Sequence, residues 1–229
     1  MEKMIKTSAA FLAVLLVASG LTRAGEIYVD EKQLEKTCEF KDWSLEIGSG
    51  IQFSNIRTDR AYDTTFVPID LTAELIVDDE ATYMQAVEGN NWYDGYTSFL
   101  FRGNYSAVTW GVEDYIAGIS VGPRYNFTVK DWVDECGYGL IPFVGAEVGF
   151  AFADSDPEFP GANNQRGLGQ DFNFMFGVEA GFRYDIDDKF FLRLSGLYRH
   201  YSNAGLSEPG IKNEAIDSIG PQLSFGVRF

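Results

Sequence analysis

The segment Phe172-Asn173-Phe174-Met175-Phe176-Gly177-Val178-Glu179-Ala180-Gly181-Phe182-Arg183-Tyr184-Asp185 decides the fold. Phe172, Phe174, Phe176, Val178, Ala180, Phe182 and Tyr184 share one parity; Asn173, Gly177, Glu179, Gly181, Arg183 and Asp185 share the other. Successive side chains of a β-strand point to opposite faces. This strand therefore has one aromatic and aliphatic face and one face of small, polar and oppositely charged groups. A soluble barrel would turn its apolar face inward. A strand of roughly ten residues or more with charges on its inner face suits a tilted membrane crossing, apolar toward lipid and polar toward a lumen.

Working outward, the pattern recurs. Trp43, Leu45, Ile47, Ile51 and Phe53 oppose Ser44, Glu46, Gly48, Gly50, Gln52 and Ser54. Val67, Ile69, Leu71, Ala73, Leu75 and Val77 oppose Asp70, Thr72 and Glu74. Thr97, Phe99, Phe101 and Tyr105 oppose Ser98, Arg102 and Asn104, a less regular case. Tyr115 to Phe127 and Leu140 to Phe152 alternate in the same way. Phe190, Leu192, Leu194, Gly196 and Tyr198 oppose Arg193, Ser195 and Arg199, and Ile219 to Phe229 forms the last strand. Backbone polar groups in hydrocarbon must be paired, so strands that cross lipid have to close on themselves. The expectation is an all-β fold: a closed antiparallel transmembrane β-barrel of about eight strands. The amphipathic ending on Phe229 resembles the C-terminal signal of outer-membrane barrels.

Residues 1–24 read as a signal peptide. Lys3 and Lys6 supply the positive region, Ala9 to Leu21 the apolar run, and Ala24 the cleavage point. Residues 25–229 are then the barrel domain of an exported protein in the bacterial outer membrane. Phe (19), Tyr (12) and Gly (24) are abundant and Pro (7) scarce, as a two-faced barrel requires. The net charge is −16, and removing a leader of +2 takes it to −18. That balance excludes nucleic acid as a partner, because phosphate binding needs Lys and Arg. Asp154, Asp156 and Glu158 in the third extracellular loop read as solvated residues, with a divalent-cation site as the alternative, and the EF-hand spacing of a calcium loop is missing. There is no zinc spacing and no phosphate-binding glycine loop, so neither metal nor cofactor is expected.

With an even strand count both termini lie in the periplasm. Connections near 56–65, 106–114, 153–171 and 203–217 are then extracellular, and those near 78–95, 128–139 and 185–189 periplasmic. The 78–95 connection is long for a periplasmic turn and has room for a small helix. Cys38 and Cys136 fall on the same side, where an exported protein permits a disulfide.

His200 is the single histidine. It opens His200-Tyr201-Ser202-Asn203-Ala204-Gly205 at the outer end of the seventh strand. By parity His200 and Ser202 continue the lipid-facing row of Leu192, Leu194, Gly196 and Tyr198. Polar groups there are costly unless they sit at the rim or serve a function. Residues i and i+2 of a strand are neighbours on one face. A serine is a weak nucleophile until an adjacent base takes its proton. Tyr198, Tyr201, Tyr184 and Trp43 read as interfacial anchors.

This stretch resembles the outer-membrane lipid A 3-O-deacylases, eight-stranded barrels whose His-x-Ser pair and downstream Glu hydrolyse an acyl ester of lipid A. The resemblance implies Ser202 as nucleophile, His200 as base and Glu214, 14 residues beyond His200, as the orienting acid. It implies Asn203 and Gly205 as oxyanion donors and lipid A, or lipopolysaccharide, in the outer leaflet as substrate. Two departures stand out. Glu208-Pro209-Gly210 replaces a family pattern with Asn before Pro-Gly, which touches one oxyanion contact. Odd residues of the last strand face outward, whereas Glu214 is even. Either a bulge between Asn213 and Ile219 corrects the phase or Asp217 is the acid. The alternative function is a non-enzymatic barrel with a structural, adhesive or small-solute role; an eight-stranded lumen is filled by side chains and leaves no large pore.

Overall fold

The computed structural model describes residues 38–54, 63–89, 91–111, 113–154, 168, 170–204 and 215–229. The proposed signal peptide, Gly205 and Glu214 lie outside the described residues.

Eight antiparallel strands close into a barrel. β1 is Trp43–Gly50, continued past Ile51 by Gln52–Phe53. β2 is Thr65–Ile76, β3 Gly95–Trp110, β4 Tyr115–Phe127, β5 Leu140–Ala153, β6 Phe172–Asp185, β7 Phe190–Ser202 and β8 Ile216–Arg228. Each strand pairs with the next, and β8 returns to β1 through pairs such as Ile47↔Phe225 and Ser44↔Arg228. Closure removes the unpaired edge that hydrocarbon would not tolerate.

The alternation maps onto the two faces as physics requires. Leu45, Ile47, Ile69, Leu71, Val148, Phe174, Val178, Leu192, Leu194 and Phe225 point out and are exposed. Glu46, Asp70, Glu74, Glu147, Glu179 and Asp185 point in with Arg102, Arg124, Arg183, Arg193, Arg199 and Arg228, all buried. Six carboxylates thus face six guanidinium groups. Asp185 pairs with Arg183 and Arg228, and the other nine form a chain of ion pairs. Asp70 meets Arg199 at 2.8 Å, Arg199 meets Glu147 at 3.0 Å, and Glu147 meets Arg102 at 2.9 Å. Arg102 meets Glu179 at 2.9 Å, Glu179 meets Arg124, Arg124 meets Glu74 at 2.5 Å, Glu74 meets Arg193 at 2.7 Å, and Arg193 meets Glu46 at 2.6 Å. Charges this far from water persist only when paired. Gly177 makes room for the network: a Cβ there would lie 2.7 Å from Glu147 Cγ.

The two mouths are closed by apolar groups. At the rim that carries the C-terminus, helix α1 (Glu80–Glu88) fills the long 78–95 connection. The Asp79 carboxylate caps it by accepting from the Thr82 N–H at 2.8 Å. Tyr83 and Val87 pack on Tyr96, with Phe40, Ile76 and Met84 against them. Cys38 and Cys136 are joined by a disulfide on this rim, spanning a sequence separation of 98. Gly137, at φ +77°, makes the turn beside Tyr83 and Val87. At the opposite rim Phe66, Ile116, Ala151, Ala153, Leu168, Met175, Tyr201 and Ile216 form a second apolar cluster.

Three sequence readings need correction. β3 continues to Trp110 because Ala107 and Val108 still pair with Val67 and Phe66, so the connection to β4 is shorter than 106–114. β8 begins at Ile216, because Tyr201↔Ile216 and His200↔Asp217 extend the ladder into the segment taken as loop. Tyr201 is no interfacial anchor. It points inward, fully buried, with its ring centroid 6.3 Å from that of Phe66.

Candidate active site

The site sits where β7 and β8 reach the rim opposite the C-terminus. The β7 row Phe190, Leu192, Leu194, Gly196 is exposed, and the same parity carries on through the half-buried Tyr198, His200 and Ser202. On one side β6 sets Val178, Phe176 and Phe174 directly opposite these three residues. On the other, β8 sets Ile219 opposite Tyr198 and Asp217 opposite His200. Directly opposed residues of antiparallel strands share a face, so Asp217 is brought beside the imidazole on the outer surface of the barrel.

The contact is short. His200 Nδ1 lies 2.7 Å from Asp217 Oδ1, with the two side chains 34% and 13% exposed. The Tyr198 hydroxyl donates to the same oxygen at 2.5 Å. An imidazole whose Nδ1 is held by a carboxylate presents Nε2 as the basic nitrogen. Ser202 follows two residues along the same face, and its Oγ accepts from the Ala204 N–H at 3.3 Å. Ala204 holds φ +55°, a left-handed conformation uncommon for a residue with a Cβ. Strain of this kind gathers at functional sites. Here it aims an N–H at the serine oxygen.

The Asn203 side chain has a structural partner of its own. Its side chain is buried, on the inward side of the strand end, and Nδ2 donates to the Leu168 carbonyl at 2.8 Å. Any hydrogen bond it offers the outer face comes from its backbone. Leu168 is gripped from its other side as well, its N–H donating to the buried Glu113 carboxylate at 3.2 Å.

The phase of the last strand is regular over the described residues. Pairing of β7 with β8 runs without a slip from Phe190↔Val227 to Tyr201↔Ile216, so no bulge falls between Ile216 and Ile219. Asp217 keeps its outward parity and meets His200. The parity of the last strand was the signal that pointed to Asp217; the hydroxyl of Tyr198 left no signal in the sequence beyond a tyrosine near a rim. Among the described residues no group of three or more His, Cys, Asp or Glu is arranged to hold a metal ion.

Solved structures similar to this chain include the outer-membrane enzyme PagL, at 18% identity over 81% of this chain and 99% of that one, with a TM-score of 0.47. Neisserial surface protein A is similar at 13% identity over 82% and 96%, TM-score 0.48. The N-terminal β-barrel domain of Pseudomonas aeruginosa OprF is similar at 13% identity over 82% and 98%, TM-score 0.45. Among curated proteins none matches the sequence. The sequence model of the family described as Lipid A 3-O-deacylase (PagL) matches residues 80–227, well over half of the chain and all of the His200–Asp217 region. The chain therefore belongs to the lipid A 3-O-deacylase (PagL) family.

Proposed function

We propose that this outer-membrane barrel is a serine esterase that removes an ester-linked acyl chain from lipid A, with Ser202 as nucleophile, His200 as base and Asp217 as the orienting acid. The observation that carries the reading is the 2.7 Å contact of His200 with Asp217 on the lipid-facing surface, in line with Ser202. Family membership supplies the substrate class. Both termini lie in the periplasm, so the rim bearing Ser202 meets the outer leaflet, where lipopolysaccharide resides. An even number of strands puts the termini on one side, and a site on the outer wall needs substrate that reaches it laterally through the bilayer.

The chemistry follows from the order of the groups. His200 Nε2 takes the Ser202 hydroxyl proton as Oγ attacks the ester carbonyl. The oxyanion develops beside the Ser202–Ala204 turn, and Asn203 and Gly205 are the donors that the family resemblance implies. The proton passes from Nε2 to the leaving sugar oxygen, and the acyl chain remains on Ser202. Water, deprotonated by His200, then releases the fatty acid and returns the proton to Ser202. Asp217 holds Nδ1–H throughout and stabilises the imidazolium between steps.

The test is mass spectrometry of lipid A from cells carrying the wild-type chain, Ser202→Ala or His200→Ala, with folded barrel confirmed by heat-modifiable migration. Wild-type cells lose one ester-linked acyl chain, and both variants leave lipid A intact. Nucleophile and base act as one unit, so the double variant loses no more than either single one. Unchanged lipid A beside folded wild-type protein overturns the proposal.

A further inference from the structure

Tyr198 is placed unlike the other outward aromatic residues. Phe174, Phe176, Phe190 and Phe225 have no polar group, and the Tyr125 hydroxyl reaches a backbone carbonyl, Tyr93 O, at 2.8 Å. The Tyr198 hydroxyl instead donates to Asp217 Oδ1 at 2.5 Å, the oxygen that meets His200 Nδ1 at 2.7 Å. The two donors come from consecutive outward positions of β7, and the acceptor stands on β8 opposite His200. Rotation of the carboxylate about its side-chain bonds would break both contacts together.

We infer that Tyr198 is a positioning residue, whose hydroxyl fixes the Asp217 carboxylate in the orientation that serves His200. The inference rests on the reading of Ser202, His200 and Asp217 as a catalytic unit. Its physical need is plain. A carboxylate on a wall that faces lipid must find its hydrogen bonds within the protein. Tyr198 supplies one of them at 2.5 Å, from the outward position of β7 on the membrane-centre side of His200, two residues from Gly196 and opposite Ile219. A phenol is suited to this position because its ring tolerates hydrocarbon while its hydroxyl reaches a polar partner.

A pH signature follows. The groups facing His200 from β6 are Phe174, Phe176 and Val178, and from β8 Ile219 and Asp217. Among these described neighbours Asp217 is the titratable one, joined by Tyr198 on β7 itself. Losing the hydroxyl leaves more of the carboxylate charge for the imidazolium. The acid limb of the rate profile then moves to higher pH.

The experiment compares wild type, Tyr198→Phe, Asp217→Asn, the pair together, and Ser202→Ala, as full-length barrels in detergent or vesicles. Two readouts are taken across pH: fatty acid released from lipid A, and covalent labelling of Ser202 by a long-chain fluorophosphonate. Tyr198→Phe is expected to lower kcat about tenfold with KM unchanged and to move the acid limb upward by about half a pH unit. In the Asp217→Asn background Tyr198→Phe is expected to change nothing further. If Ser202→Ala is inactive while Tyr198→Phe keeps the wild-type rate and pH profile, the positioning role is wrong and the esterase reading stands. If Ser202→Ala keeps full activity, the esterase reading itself fails and this role with it. A Tyr198→Phe barrel that loses heat-modifiable folding, rather than rate, assigns the hydroxyl to stability and also overturns the proposal.

Discussion

His200 on β7 and Asp217 on β8 are direct cross-strand partners, and their side chains meet at 2.7 Å on the outer wall of the barrel. Among the described residues the pairing brings the Asp217 carboxylate to the imidazole.

The first prediction follows from that pairing. Asp217→Asn keeps the shape but cannot hold the same tautomer, and it should lower kcat by about 10²–10⁴, as loss of an orienting acid does. Glu214→Ala should cost much less. Initial rates on lipid A for the two variants decide between the candidates, and a larger loss for Glu214→Ala would reverse the assignment.

A second prediction concerns the Cys38–Cys136 disulfide. It closes a loop of 98 residues that contains β1 to β4 and helix α1. On the chain-entropy model such a cross-link contributes about 4–5 kcal/mol. Cys38→Ser or Cys136→Ser should lower the urea midpoint of the refolded barrel. Hydrolysis should be unchanged, because the bridge lies at the rim remote from Ser202. Equal loss of rate and stability would argue that the rims are coupled.

The lumen gives a third. Glu179 meets Arg102 at 2.9 Å and also pairs with Arg124, both buried. Glu179→Gln leaves their charges undercompensated and should cost about 3–5 kcal/mol of unfolding free energy. Denaturant unfolding in vesicles measures it. A cost near zero would mean that water replaces the carboxylate in the network.

A fourth uses Lys41 and Asp188, at the C-terminal rim. Lys41 Nζ donates to Asp188 Oδ2 at 2.8 Å. That hydrogen bond holds the Asp188 carboxyl below its ordinary value and raises the Lys41 ammonium. For Asp188 the folded state binds its proton less readily than the unfolded state. Its stabilising contribution is therefore present above the ordinary carboxylate value and is lost as pH falls through the folded one. Lys41 has the opposite sign: its contribution is present below the ordinary ammonium value and is lost as pH rises through the raised one. Asp188→Asn should flatten the stability profile at both ends, and high salt should shrink the difference, because Asp188 is solvent-exposed. A profile unchanged by Asp188→Asn would remove the pair from the pH response.

Much of this protein was legible in the residues alone. Alternation is local: whether Phe174 or Glu179 faces lipid depends only on position parity along one strand, and hydrocarbon allows one answer. The barrel, the inward arginines and carboxylates, and the outward placement of His200 and Ser202 follow from that. Other features depend on what a strand meets. Whether β8 begins at Ile216 or beyond, and whether Asp217 or another acid reaches His200, is set by the β7–β8 register, a relationship between residues 17 apart. Parity puts Tyr201 inside and Tyr198 outside, but that the first packs on Phe66 and the second donates to Asp217 is decided by the neighbouring strands. Asn203 is likewise inward by parity, and the partner it finds there, the carbonyl of Leu168, lies 35 residues upstream. The sequence by itself determined which face each residue occupies, because that is a property of one strand in a two-phase solvent. Only the tertiary structure decided which groups on a face touch, because contact requires closure of the sheet and a fixed register between strands.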